Sequence, residues 1–235
     1  MSIHSSVPAI FALLGLLAGC SSSTTEAPAS SARASASATA ARGEFTVEVW
    51  ADNWFAMYLD DTLVLEDSVP ITTERSFNSE TFSFDGSYPL HLNFVIKDYK
   101  QNDTGLEYIG QPKQQMGDGG FIAQVTNNKT GSVVAVTDRS WRCLVIHEAP
   151  LDKGCEKDPN PSETCKFSSS EEPQGWKSAT FDTSEWSQAT EYSKDEVRPK
   201  DGYDQITWDD RARLIWTSDL ETHNTLLCKV TIEAP

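Results

Sequence analysis

Phe45-Thr46-Val47-Glu48-Val49-Trp50-Ala51-Asp52-Asn53-Trp54-Phe55-Ala56-Met57-Tyr58-Leu59-Asp60-Asp61-Thr62-Leu63-Val64-Leu65 carries the period that decides the fold. Phe45, Val47 and Val49 alternate with Thr46, Glu48 and Trp50, and Phe55, Met57 and Leu59 alternate with Trp54, Ala56 and Tyr58. Period two places alternate side chains on one face, as in a half-buried strand. Asp52-Asn53 and Asp60-Asp61 supply turns between the runs, because short polar side chains bond their own backbone there.

The same pattern continues outward. Phe82 and Phe84 mark one strand, and Leu90, Leu92, Phe94 and Ile96 line one face of another. Phe121–Thr126 and Val133–Thr137 flank the turn Asn127-Asn128-Lys129-Thr130-Gly131, and Trp141–His147, Ala212–Thr217 and Thr225–Ile232 follow. No window carries a helical stripe. About ten short strands with regular turns predict an all-β, antiparallel sandwich or barrel. Asp98–Gly120 and Glu148–Asp210 are long, polar interruptions, of the kind that is functional or clamped.

Before the first strand the composition changes. Residues 21–42 are almost wholly Ser, Ala and Thr, too poor in apolar area to offset the entropy of ordering. We read them as a disordered tether. Residues 8–18 are mostly apolar, short for a membrane span and suited to a signal-peptide core. Leu17-Ala18-Gly19-Cys20 resembles the bacterial lipobox, which implies cleavage before Cys20 and its acylation. Ser21, rather than Asp, then implies sorting to the outer membrane of a Gram-negative cell envelope. The expected organisation is a lipoprotein signal peptide at 1–19, an acylated cysteine and tether at 20–42, and one sandwich domain at 43–235.

Composition excludes one class of partner. The chain is 235 residues long with a formal charge of −16. With Glu26, Arg33 and Arg42 set aside, 34 acids stand against 17 bases. Such a field repels a phosphate backbone, so nucleic acid is excluded. Cys143, Cys155, Cys165 and Cys228 remain beside Cys20, an even number in an exported chain. Four cysteines allow three pairings. We expect Cys155–Cys165, closing the acidic loop, and Cys143–Cys228, joining two strands. Cys143 alternates with Trp141 and Val145, and Cys228 with Leu226 and Val230, which turns both toward the interior.

Three pieces together resemble the galactose-binding-domain-like jelly roll. Ala51 to Val64 is similar to its hairpin, with Asp60-Asp61 where that family has Asn-Gly. Gly175-Trp176 with Phe181-Asp182 to Trp186-Ser187-Gln188-Ala189 is similar to its Gly-Trp and Phe-Asp…Trp segment. Ala212-Arg213-Leu214-Ile215-Trp216 with Asn224 to Ile232 is similar to a strand pair near its end. The resemblance spans roughly residues 44–232 and implies a non-catalytic accessory sandwich that binds carbohydrate or a similar polar ligand.

No nucleophile elbow, His-Glu-x-x-His pair, dinucleotide fingerprint or phosphate loop is present. Binding features are better represented. Sugar recognition uses an aromatic face against C–H groups, and Asp, Asn or Gln on hydroxyls. Trp141, Trp186 and Trp216 occupy core-type positions; Trp54, Trp176 and Trp208, at turns or in the loop region, are the better candidates for surface rings. The expected ligand site joins Asp52, Asn53 and Trp54 to Asp98, Asn102 and Asp103. Asp98, Asp103, Glu107 and Asp118 are candidate ligands for a structural Ca2+, since oxygen-rich, glycine-punctuated turns suit that ion. The alternative function is a docking module for another envelope protein; an exported hydrolase comes third.

Overall fold

The structure is a computed structural model and describes residues 42–235. The expected signal peptide, Cys20 and all but the last residue of the tether lie outside those residues. Arg42 already belongs to the first strand, paired with Ser87.

In chain order the strands are β1 (Arg42–Asp52), β2 (Trp54–Leu59), β3 (Thr62–Glu66), β4 (Asn78–Ser87), β5 (Leu90–Lys97), β6 (Leu106–Glu107), β7 (Gln115–Met116) and β8 (Gly120–Asn127). Then come β9 (Ser132–Val136), β10 (Arg142–Glu148), β11 (Ser168–Ser169), β12 (Ser187–Gln188), β13 (Thr190–Tyr192), β14 (Leu214–Trp216) and β15 (His223–Ile232). All pairings are antiparallel. One sheet has the order β13-β14-β8-β1-β4, with β9 also on β8; the other runs β11-β10-β15-β5-β2-β3, with β12 also on β10. With the hairpin strands β3 and β9 and the shortest loop strands set aside, β1, β2, β4, β5, β8, β10, β14 and β15 alternate between the sheets, so the expected all-β antiparallel sandwich is present.

The alternation read from Phe45 onward is the core. Phe45, Val47, Val49 and Ala51 of β1 meet Phe55 and Met57 of β2, Leu92, Phe94 and Ile96 of β5, and Trp141, with Phe121 and Trp216 beside them. Asp60-Asp61 forms a two-residue connection, with Leu59 opposite Thr62 and Asp60 in the left-handed region at φ 50°. Asp tolerates that region better than most residues, so it can stand where Asn-Gly is usual.

The long segments cover the outer faces. Trp176 and Trp186 pack on Val95 and Leu227, with Phe181 alongside. Trp176, a candidate surface ring from the sequence, is therefore buried. Val197 and Tyr203 pack on Trp50, Ile122 and Leu214 of the other sheet. This is why the outward residue of β1 is a tryptophan rather than a polar side chain. A four-residue helix, α1 (Pro161–Thr164), precedes Cys165, and a second, α2 (Lys194–Val197), is closed at its start by a Ser193–Glu196 capping box.

Both expected disulfides are formed. Cys143–Cys228 links directly opposed residues of neighbouring strands β10 and β15, inside the core. Cys155–Cys165 closes the acidic loop and packs against Leu106.

Candidate functional site

Three chain segments meet at one end of the sandwich's strands. β1 stops at Asp52, which pairs with Gly120, the first residue of β8. β5 stops at Lys97, whose carbonyl accepts a bond from Asn53 N at 2.8 Å, and Asp98 N donates to Asn224 O at 2.9 Å. The segment 117–119 leads into β8. The register of the strands therefore brings Asp52, Asp98 and Asp118 together, with one carboxylate oxygen of each within 4.8 Å of the others.

Asp52 is fully buried and Asp98 is 2% exposed. Among the described residues, neither oxygen of Asp98 has a hydrogen-bond partner, nor has Oδ1 of Asp52. Glu107, also buried, accepts a bond from Gln115 Nε2 at 2.9 Å across the β6–β7 ribbon. The counter-charge is Lys200, whose Nζ lies 3.0 Å from Asp52 Oδ2 and 2.7 Å from Asp118 Oδ2. One ammonium thus faces four carboxyl groups.

Electrostatics follow from that count. Burial, and then the charge of Asp118, push Asp52 up to about 7. Burial and the same neighbour bring Glu107 to about 8. Asp98 is raised well above the usual carboxylate range by burial, and further by Asp52, Asp118 and Glu107. Burial lowers the Lys200 ammonium, but Asp52 and Asp118 outweigh it, and its value rises. A buried carboxylate without a partner costs several kcal/mol, so the cluster is stable only protonated or joined to a cation.

The donor set fits a hard divalent cation. All candidate ligands are oxygens, and Ca2+–O distances of about 2.3–2.6 Å let two ligands of one ion lie up to about 5 Å apart. Asp52, Asp98 and Asp118 would hold the ion, with Glu107 at the margin. Its chemistry there would be charge neutralisation and the offer of further coordination positions to an oxygen-bearing ligand.

The remaining sequence candidates have other surroundings. Asn53 is buried; its Oδ1 accepts from Tyr99 N and its Nδ2 donates to Glu74 O at 3.1 Å. It ties three segments of the frame together. Trp54 is half-buried on the outer face of its sheet, with Lys97 Nζ 4.5 Å from its ring centroid. Asn102 Oδ1 accepts from Thr104 N, and its Nδ2 donates to Ser162 Oγ at 3.4 Å. Asp103 pairs with Lys100 and stands 3.5 Å from His147 Nε2. Of the residues expected at the ligand site, Asp52 and Asp98 meet; Asn102, Asp103 and the Trp54 ring serve other contacts. Of the metal candidates, Asp98, Glu107 and Asp118 share one environment.

Lys200 and Gly117 were not expected from the sequence. Pro199-Lys200-Asp201-Gly202 reads as a turn, but nothing local says where it points. The fold places it: Trp50 Nε1 donates to Asp201 O at 3.1 Å, and Val197 and Tyr203 clamp both flanks. Gly117 is required sterically, since a Cβ there would overlap Asp98 Oδ2. Gly117→Ala is accordingly expected to cost about 1–3 kcal/mol of stability, the usual range for overpacking. Chemical denaturation checks it, and an unchanged midpoint would remove Gly117 from the site.

Compared with known proteins, the chain matches no family model, no curated protein and no solved structure at a significant level. The fold and geometry define a class: an antiparallel β-sandwich with a buried carboxylate cluster at one end of its strands.

Proposed function

We propose that this chain is a lipid-anchored protein of the bacterial cell envelope whose sandwich binds a divalent cation, Ca2+ by its donor chemistry. At the same end of the strands it takes a polar ligand of carbohydrate type. The observation that carries the cation is Asp98, a buried carboxylate with both oxygens unpartnered among the described residues and facing two more aspartates. The resemblance of the hairpin and of the Gly175–Ala189 segment to galactose-binding-like jelly rolls supports the carbohydrate part.

Calorimetric titration of chelated protein with Ca2+ tests the reading. Saturable, one-to-one binding that Asp98→Asn abolishes is the expected result, and no heat at millimolar Ca2+ overturns it. A glycan array run with Ca2+ and with chelator then tests the ligand, whose retention should require the ion. A second reading, docking to another envelope protein, draws on Leu151 and Phe167, 51% and 49% exposed on either side of the loop closed by Cys155–Cys165. It predicts no glycan dependence.

The anchor has its own test. Cys20→Ser is expected to move the protein wholly from the membrane fraction to the soluble one. A mature form that starts at another residue without an acyl group would contradict the lipoprotein assignment.

A further inference from the structure

The far end of β5 carries the opposite charge. His91 and Asp98 are seven residues apart on an extended strand, about 23 Å at 3.3 Å per residue, so the two regions do not share side chains. On the outer face of this sheet Arg142 of β10 stands directly opposite Lys229 of β15, and His91 of β5 opposite Thr231. These four line a cavity of about 390 Å3 together with Ser140, Phe181 and Thr183. Its walls contain three basic side chains and no carboxylate, in a chain with nearly two acids for every base.

Neither facing cation is neutralised. Among the described residues, Arg142 and Lys229 form no ion pair; Lys229 Nζ donates to Asn93 Oδ1, Trp176 O and Ser178 O. Those neutral acceptors use all its protons, so Lys229 contributes charge while staying fixed. Arg142 spends one N–H on Trp186 O at 3.2 Å, which leaves most of its fork free. His91 Nδ1 is engaged with Thr231 Oγ1 at 3.1 Å, leaving Nε2. Like charges directly opposite each other on adjacent strands destabilise a sheet, and an anion between them reverses the sign. Asp60 and Asp61 act on Lys229 from a distance, yet burial prevails and its ammonium is held below the ordinary lysine value. The protein's overall negative field does not forbid an anion here, because at physiological salt charges beyond about 8 Å are screened.

We infer that this cavity binds a sulfate or phosphate group, carried on a small polar ligand such as a sugar, with the Arg142 fork as its chief contact. A guanidinium takes two oxygens of such a group at once. The volume is in the range of ligand pockets and exceeds what a bare oxyanion needs. The half-buried ring of Phe181 offers a face on which a sugar ring can rest. The inference does not rest on the cation site.

The test is calorimetric titration at constant ionic strength with inorganic sulfate, inorganic phosphate, glucose 6-sulfate, glucose 6-phosphate and glucose. At least one ester should bind saturably, and glucose should not. A free ion that binds as tightly as its ester would place recognition in the anion alone; weaker free-ion binding would show that the sugar contributes. Arg142→Gln should weaken binding at least tenfold while the melting temperature holds. Lys229 is unsuitable as the primary variant because it anchors residues 176–178; His91→Gln, at the cavity wall, is the second. No saturable binding of any anion, or binding indifferent to both substitutions, overturns the inference. Chelated protein should bind the ester equally well, so failure of the Ca2+ reading leaves this result readable.

Discussion

At pH 8, adding Ca2+ to chelated protein is expected to raise the melting temperature by roughly 5–10 °C, and at pH 5 by little. The size follows from linkage: ligand at a hundredfold its Kd stabilises by about 2.7 kcal/mol, and for a chain of this length each kcal/mol moves the midpoint by roughly 2–4 °C. The pH dependence follows from the raised carboxyl groups. Asp52 moves from 3.8 to about 7 and Glu107 from 4.5 to about 8, and Asp98 rises as well. The folded protein therefore retains protons that the unfolded chain releases above pH 4. Their stabilising contribution is complete below about pH 4 and is lost as pH climbs through 7 to 8. Each unit of displacement is worth about 1.4 kcal/mol, so the cation-free protein should lose several kcal/mol over that window. A cation that binds the ionised carboxylates reverses the loss. His147 and His223, lowered by burial, act in the opposite sense as pH passes their range. Comparison with Asp98→Asn, which keeps both histidines, separates the two effects. Its cation-free stability should exceed that of the native chain at pH 8, and Ca2+ should add nothing. Equal Ca2+ gains at pH 5 and pH 8 would show that these carboxyl groups do not hold the ion.

Removing the Cys143–Cys228 bridge should be the costliest single change to the covalent frame. The bridge closes 85 residues and Cys155–Cys165 closes 10. On the chain-entropy account the long closure contributes roughly 4–5 kcal/mol and the short one somewhat under 3. Both sulfurs of the long bridge are also core atoms, so Cys143→Ala with Cys228→Ala opens space between β10 and β15. Urea midpoints of the two double variants measure the ranking. A larger loss from Cys155→Ala with Cys165→Ala would mean that the acidic loop, not the strand pair, limits stability.

How far the sequence reaches is clear from particular elements. Period two from Phe45 to Leu65, and the runs at Leu90–Ile96, Phe121–Thr126 and Thr225–Ile232, each correspond to an observed strand. Alternation is local information, and burial of one face needs no knowledge of the partner. The interior positions of Cys143 and Cys228 were legible for the same reason. The short strands β6, β7, β11, β12 and β13 were not, because two- or three-residue segments inside polar loops carry no period; β14 is as short, but its apolar run from Ala212 to Trp216 marked it.

By itself, the sequence determined an acidic, disulfide-bearing β-sandwich, since charge, cysteine number and hydrophobic period are sums or repeats along the chain. It also located the neighbourhood of the acidic cluster, at the Asp52-Asn53 turn and the Asp98–Gly120 loop. Only the tertiary structure decided which oxygens meet. Strand register set Asp52 against Gly120 and ended β5 one residue before Asp98. Packing of Val197 and Tyr203 on Trp50 and Ile122 carried Lys200 into the cluster from more than eighty residues away. The choice among so many acids rests on burial, and burial depends on contacts between segments distant in the chain.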